Sequence, residues 1–150
     1  MKLIFDAANL VVQGYTTAEI YDQYEAMKPG IGWMHIKDYA KTQVENKGGR
    51  QDEDKMKGFV PCDIGYSGHE AILRDFAKML PALTEYNQNR GIPGVFLDLE
   101  PHVKGGGQFG GYSGRDGLGV ALRALCRTLD YTGIDYHLRD FDDLKAARGF

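Results

Sequence analysis

The run Val95-Phe-Leu-Asp-Leu-Glu-Pro-His102 constrains this chain more than any other stretch. Apolar residues lead to a carboxylate, Glu100, then a proline, a histidine and a glycine-rich segment from Lys104 to Gly114. A buried parallel strand looks like this when it delivers an acidic group to the rim of a sheet and the chain returns through a loop into a helix.

Two earlier stretches have the same form. Leu3-Ile-Phe5 ends in Asp6, with Asn9 three residues on. Asp6 there is either a rim carboxylate or a cap on the following turn, because Asp and Asn both serve as caps. Trp33-Met-His-Ile-Lys-Asp-Tyr39 is the second strand, and period-two alternation sets His35, Lys37 and Tyr39 opposite Met34, Ile36 and Asp38. Three polar groups crowd the carboxyl end of that strand. Burying them without a use would be costly, which favours a site over a lone core histidine.

Helical patterns separate the strands. Thr16 or Thr17 caps a helix to about Met27, with Glu19 in its first turn and Ile20, Tyr24 and Met27 on its core face. Lys28 to Gly32 turns the chain. His69 to about Asn89 carries an apolar stripe of Ile72, Leu73, Phe76, Leu80 and Leu83, with a kink expected at Pro81 and with His69 and Glu70 facing solvent. Ser113 or Asp116 caps a third helix, about 117–129, with Leu118, Ala121, Leu122 and Leu125 buried, and Gly133 breaks it. The tail from Ile134 reads as an extended piece and a last amphipathic turn.

Between these, residues 40–58 are polar and charged and form a solvated inserted loop, with a lid over the site as the alternative. Pro61, Gly65 and Gly68 make 59–68 a shaped loop. The whole is one α/β domain spanning 1–150, with parallel βα units and right-handed crossovers. A chain of 150 residues has room for one real core.

Composition narrows the partners. A net charge of -3 without clustered Lys or Arg points away from nucleic acid. No apolar run approaches the roughly 20 residues of a membrane span, and no signal peptide is visible. Cys62 and Cys126 match no metal or redox spacing and are expected as reduced thiols in a cytoplasmic protein. Twenty glycines gather at loops, as tight turns and close backbone approaches require.

In parallel sheets the chemistry lies at the carboxyl ends of the strands. Asp6 with Asn9, His35 with Lys37 and Asp38, and Glu100 with His102 all fall there. Asp, His and Glu on one rim form a ligand set for a divalent metal such as Mn, Mg, Co or Zn. Such a metal polarises a carbonyl or hydroxyl oxygen, and a carboxylate beside it can take the acidified proton from the next carbon. The loop from Lys104, ahead of a helix amino end, either receives a phosphate or hydroxyl group or serves geometry alone.

Asp6-Ala-Ala-Asn9, His35-Ile-Lys-Asp38, the loop at Gly65 and Leu99-Glu-Pro-His102 come in an order that resembles the carboxyl-terminal part of the xylose-isomerase-like TIM barrels. The likeness is strongest to the bacterial sugar phosphate isomerase/epimerase branch and covers nearly the whole chain apart from the insertion. It implies metal ligation by Asp6, His35 and Glu100, with Glu100 also an acid/base group. It places Asn9, Lys37 and His102 at substrate-contacting positions; Asp38 and Lys104 lie beside them and complete the expected substrate-binding set. The implied activity is metal-dependent isomerisation or epimerisation of a sugar, sugar phosphate or related polyol.

A complete barrel of this kind has eight strands and roughly 250 residues. This sequence supplies about the last three, without the strands that would carry a fourth ligand and the partner acid/base carboxylate. The chain is therefore expected to be the carboxyl-terminal part of a larger enzyme, and to self-associate or take a partner chain that supplies the missing strands. Two other readings stand beside the enzyme. One is a non-catalytic, truncated barrel portion that binds metal or another chain. The other is endonuclease IV-like phosphodiester hydrolysis, which needs a tri-metal cluster and more histidines than His35, His69, His102 and His137 provide.

Overall fold

Three short strands run parallel side by side: β1 (Leu3–Phe5), β2 (Ile31–Ile36) and β5 (Leu97–Leu99), with β2 in the middle. The computed structural model describes residues 2–40, 58–101, 103–104, 111–112, 114–137, 142, 145 and 146. The expected parallel α/β arrangement is present among them. The insertion lies almost wholly outside the described residues, as do His102, Ser113 and most of the tail's last turn.

The chain leaves β1 at Asp6, whose carboxylate accepts the Asn9 amide and caps α1 (Ala7–Val12). This six-residue helix stands where only a turn was expected. α2 (Thr17–Met27) opens on a reciprocal capping box. The Thr16 hydroxyl accepts the Glu19 amide and the Glu19 carboxylate accepts the Thr16 amide. Such a cap is worth about 1 kcal/mol. Burying Ile20 and Tyr24 contributes roughly 1.5–3 kcal/mol each, so packing rather than capping holds α2 in place.

The second strand begins two residues earlier than expected and stops at Ile36. Asp38–Tyr39 forms a separate strand, β3, antiparallel to β4 (Phe59–Val60). The segment from Phe59 is thus partly strand rather than wholly shaped loop. α3 (His69–Phe76) begins at Gly68, which takes φ +75, a backbone conformation that glycine reaches without strain. A 3-10 turn at Ala77–Met79 then separates it from α4 (Leu80–Gln88), with Pro81 in the first turn of α4. The break falls ahead of the proline because its ring cannot follow an α-helical turn. β6 (Val103–Lys104) pairs with β7 (Gly111–Tyr112), and α5 (Gly114–Thr132) follows. Asp116 lies inside α5 and is not its cap.

Phe5, Met34 and Ile36 meet Ala7, Ala8, Val11, Ile20, Tyr24, Ile72, Leu73 and Phe76 in one continuous core on one side of the sheet. Two burial expectations need correction. His69 is buried at 3% exposure, not solvent-facing, because its Nε2 donates to the Lys37 carbonyl at 2.6 Å. The buried stripe of α5 is Ala121, Ala124, Leu125, Thr128 and Leu129, while Leu118 and Leu122 are exposed. Leu122 borders an apolar cleft of about 490 Å³ shared with Val95, Phe96 and Ile134. Cys62 and Cys126 are free thiols, and burial pushes Cys62 up to about 11. Among the described residues no helix is long and apolar enough to cross a membrane.

Candidate metal centre

The register of the sheet assembles the site. Phe5 pairs with Met34, which sets Asp6 beside His35 just past the end of β1. His35 pairs with Asp98 and Ile36 with Leu99, and the Glu100 amide donates to the Ile36 carbonyl at 3.0 Å. Asp6, His35 and Glu100 therefore come from three adjacent strands to one rim. Each offers one ligand atom, and these atoms all lie within 4.8 Å of one another.

Each side chain is held from more than one direction. Asp6 Oδ1 accepts the Asn9 amide at 3.1 Å, and Oδ2 accepts the Asn9 side-chain amide at 2.7 Å. Asp6 is thus both the cap and the rim carboxylate, so the two sequence alternatives are one geometry. His35 Nδ1 lies 3.3 Å from Asp6 Oδ2 and 3.6 Å from Glu100 Oε1, while Nε2 lies 3.4 Å from Asp98 Oδ2. As it stands Nδ1 donates to Asp6 Oδ2; with the ring proton moved to Nε2, on the side of Asp98, the Nδ1 lone pair would face the two rim carboxylates, as a metal-ligating imidazole backed by a carboxylate requires. Lys37, 7% exposed, completes the cluster: Nζ donates to Asp6 Oδ2 at 3.0 Å and to Glu100 Oε2.

The donor set fits a divalent ion. Two carboxylates and an imidazole are the mixed oxygen and nitrogen ligands that Mn, Mg, Co and Zn accept, and three protein ligands leave positions for substrate or water. Asp6, His35 and Glu100 would hold it.

The expected substrate-contacting residues divide. Asn9 and Lys37 are at the centre, both tied to Asp6. Asp38 is not. It points to the opposite side, 1% exposed, where its Oδ1 accepts from the amides of Tyr39 at 2.7 Å and Ser67 at 2.9 Å and from the Ser67 hydroxyl. Burial raises its pKa, an effect tempered by nearby His69 and by these donors. A carboxylate enclosed in this way has no face for substrate. His102 and the side chain of Lys104 lie outside what the structure describes.

Asp98 was missed. Its signal was present in the period of the strand, since Asp98 stands two residues before Glu100 and so faces the same side. Only the parallel register shows that it meets His35. No protein family model, curated protein or solved structure matches the chain.

Proposed function

We propose that this chain carries the metal-binding and proton-abstracting groups of an isomerase or epimerase for a sugar, sugar phosphate or related polyol, its three parallel strands forming part of a TIM-barrel-like fold. The observation that carries this is the convergence of Asp6, His35 and Glu100 from three neighbouring strand ends. A divalent ion held there would supply polarisation of the substrate's carbonyl or hydroxyl oxygen, which acidifies the proton on the next carbon.

Glu100 is the base. It sits at the open end of the sheet with a half-buried carboxylate. Taking the proton breaks the C–H bond, whose electron pair forms the carbon–carbon double bond of an enediolate while the carbonyl electrons move onto oxygen. Returning that proton to the neighbouring carbon, while the hydroxyl proton passes from the first oxygen to the second, completes an isomerisation. Epimerisation needs a second acid on the opposite face of the substrate. Asp98 cannot serve, because it extends from the same strand and faces His35. A single base therefore supports isomerisation more directly. Asn9 and Lys37 flank the rim as substrate contacts.

A specific observation also favours the non-catalytic reading. Ile4, Trp33 and Phe96 lie on the side of the sheet that bears His35 and Asp98, and they are 42%, 36% and 50% exposed. Uncovered side chains of this size support a second copy, or a chain that supplies further strands, against that face. Phosphodiester hydrolysis has less support. Among the described residues one His/Cys/Asp/Glu group has metal-binding geometry, and His69 is committed to the Lys37 carbonyl.

Deuterium incorporation at the α carbon of a ketose or ketose phosphate in D2O with Mn²⁺, read by mass spectrometry, separates the readings. Wild type should incorporate deuterium only with metal, and Glu100→Gln should slow it at least about a hundredfold. Equal incorporation by both proteins would rule out Glu100 as the base. No incorporation by a metal-loaded wild type would leave the binding module as the better account.

A further inference from the structure

Lys37 lies inside the proposed centre rather than beside it. Its ammonium contacts Glu100 Oε2 and lies 3.0 Å from Asp6 Oδ2, so it touches two of the three groups that would hold a metal. Asp6 Oδ2 is crowded already, with Asn9 Nδ2 at 2.7 Å, Lys37 Nζ at 3.0 Å and His35 Nδ1 at 3.3 Å around it. Oδ1 is engaged by the Asn9 amide, which the capped helix holds in place. A divalent ion and an ammonium group cannot share these oxygens at contact distance without bringing two positive charges together in a partly desolvated rim.

One of these neighbours can leave. Asn9 is fixed by α1 and His35 by its strand, but Lys37 has four rotatable side-chain bonds. The Phe59 ring borders it, its centre 5.7 Å from Nζ while the lysine pairs with the carboxylates, and offers a cation–π surface to turn toward. The His69 bond to the Lys37 carbonyl fixes the backbone while the side chain swings.

We infer that Lys37 is a built-in counter-cation that a divalent ion must displace from Asp6 and Glu100, so that the ammonium and the metal occupy these carboxylates in turn. Without metal, the Lys37 ammonium holds Glu100 in an ion pair. With metal, the lysine withdraws toward Phe59 and can meet a substrate oxygen. This rests on the metal-centre reading of the same three residues.

Mn²⁺ binding by isothermal titration calorimetry at one fixed pH, on the full 150-residue chain, tests it. Lys37→Met keeps the stem length and removes the charge, and it should bind Mn²⁺ at least tenfold more tightly than wild type. Lys37→Arg keeps a cation and should not gain. Equal or weaker binding by Lys37→Met, with Glu100→Gln abolishing binding, would overturn the displacement while leaving the metal centre intact. No binding by wild type or Lys37→Met would remove the metal centre and the displacement with it. Should the Lys37 variants fail to fold, wild type alone decides. Saturating Mn²⁺ should raise reductive methylation of Lys37 several-fold, mapped by peptide mass spectrometry, and unchanged or reduced labelling would overturn the inference.

Discussion

Lys37 and Asp38 are neighbours in the chain with opposite fates. Lys37 turns to the rim and joins Asp6 and Glu100, while Asp38 turns inward and organises the loop before α3. The sequence points both to the site because both lie at the carboxyl end of the second strand, although alternation sets them on opposite sides. No residue type marks the end of β2 at Ile36, so the change of partner at Asp38 was not readable. Gly65 is the other half of that arrangement. A Cβ there would lie 2.0 Å from Asp38 Cγ, and the Asp38 carboxylate, held by three donors, cannot move aside. Gly65→Ala is therefore expected to cost about 1–3 kcal/mol of stability in urea unfolding, the usual range for overpacking. An unchanged midpoint would show that the loop is looser than this packing implies. Gly65 was noted in the sequence as part of a shaped loop, but its purpose depends on a carboxylate 27 positions earlier.

Between elements, a polar cluster joins α2 to α3. Asp75 on α3 accepts from the Tyr24 hydroxyl at 3.0 Å, from the Lys28 ammonium and from Lys78 at 3.1 Å. The Lys28 hydrogen bond is the main reason its pKa falls to about 2, with burial opposing it. The folded-state pKa lies below the ordinary carboxylate value, so the link stabilises the fold above about pH 4 and is lost as pH falls toward 2. Asp75→Asn should accordingly be less stable than wild type at pH 7, with the difference narrowing between pH 4 and pH 2 in urea titrations. A difference independent of pH would mean that the ion pairs contribute nothing. The elements themselves were partly legible. The Thr16–Glu19 capping box, the apolar stripe from Ile72 to Leu83 and the turn at Gly133 carry local signals, and the structure follows them. β3 and β4 do not: two-residue strands that pair across the 41–57 segment leave no periodicity to read.

At the scale of the molecule, the rim rule for parallel sheets did most to locate the candidate site. Asp6, His35 and Glu100 are scattered in the chain, yet Asp6 and Glu100 each end an apolar run and His35 stands one residue from the end of β2, and parallel strands bring such ends together. Asp98 and the central position of Lys37 needed the register, which sequence alone does not fix. The sheet that gathers these residues also leaves Ile4, Trp33 and Phe96 uncovered on the site's own face, which supports the proposal of a second copy or a further chain there. The claim on which everything else depends is that the three strand ends hold one divalent ion. Crystals grown with Mn²⁺ and measured near the manganese absorption edge test it directly. One anomalous peak is expected, ligated by Asp6, His35 and Glu100, with the Lys37 ammonium withdrawn from Glu100. A peak at other residues, or none while Lys37 still bridges the two carboxylates, would contradict the account.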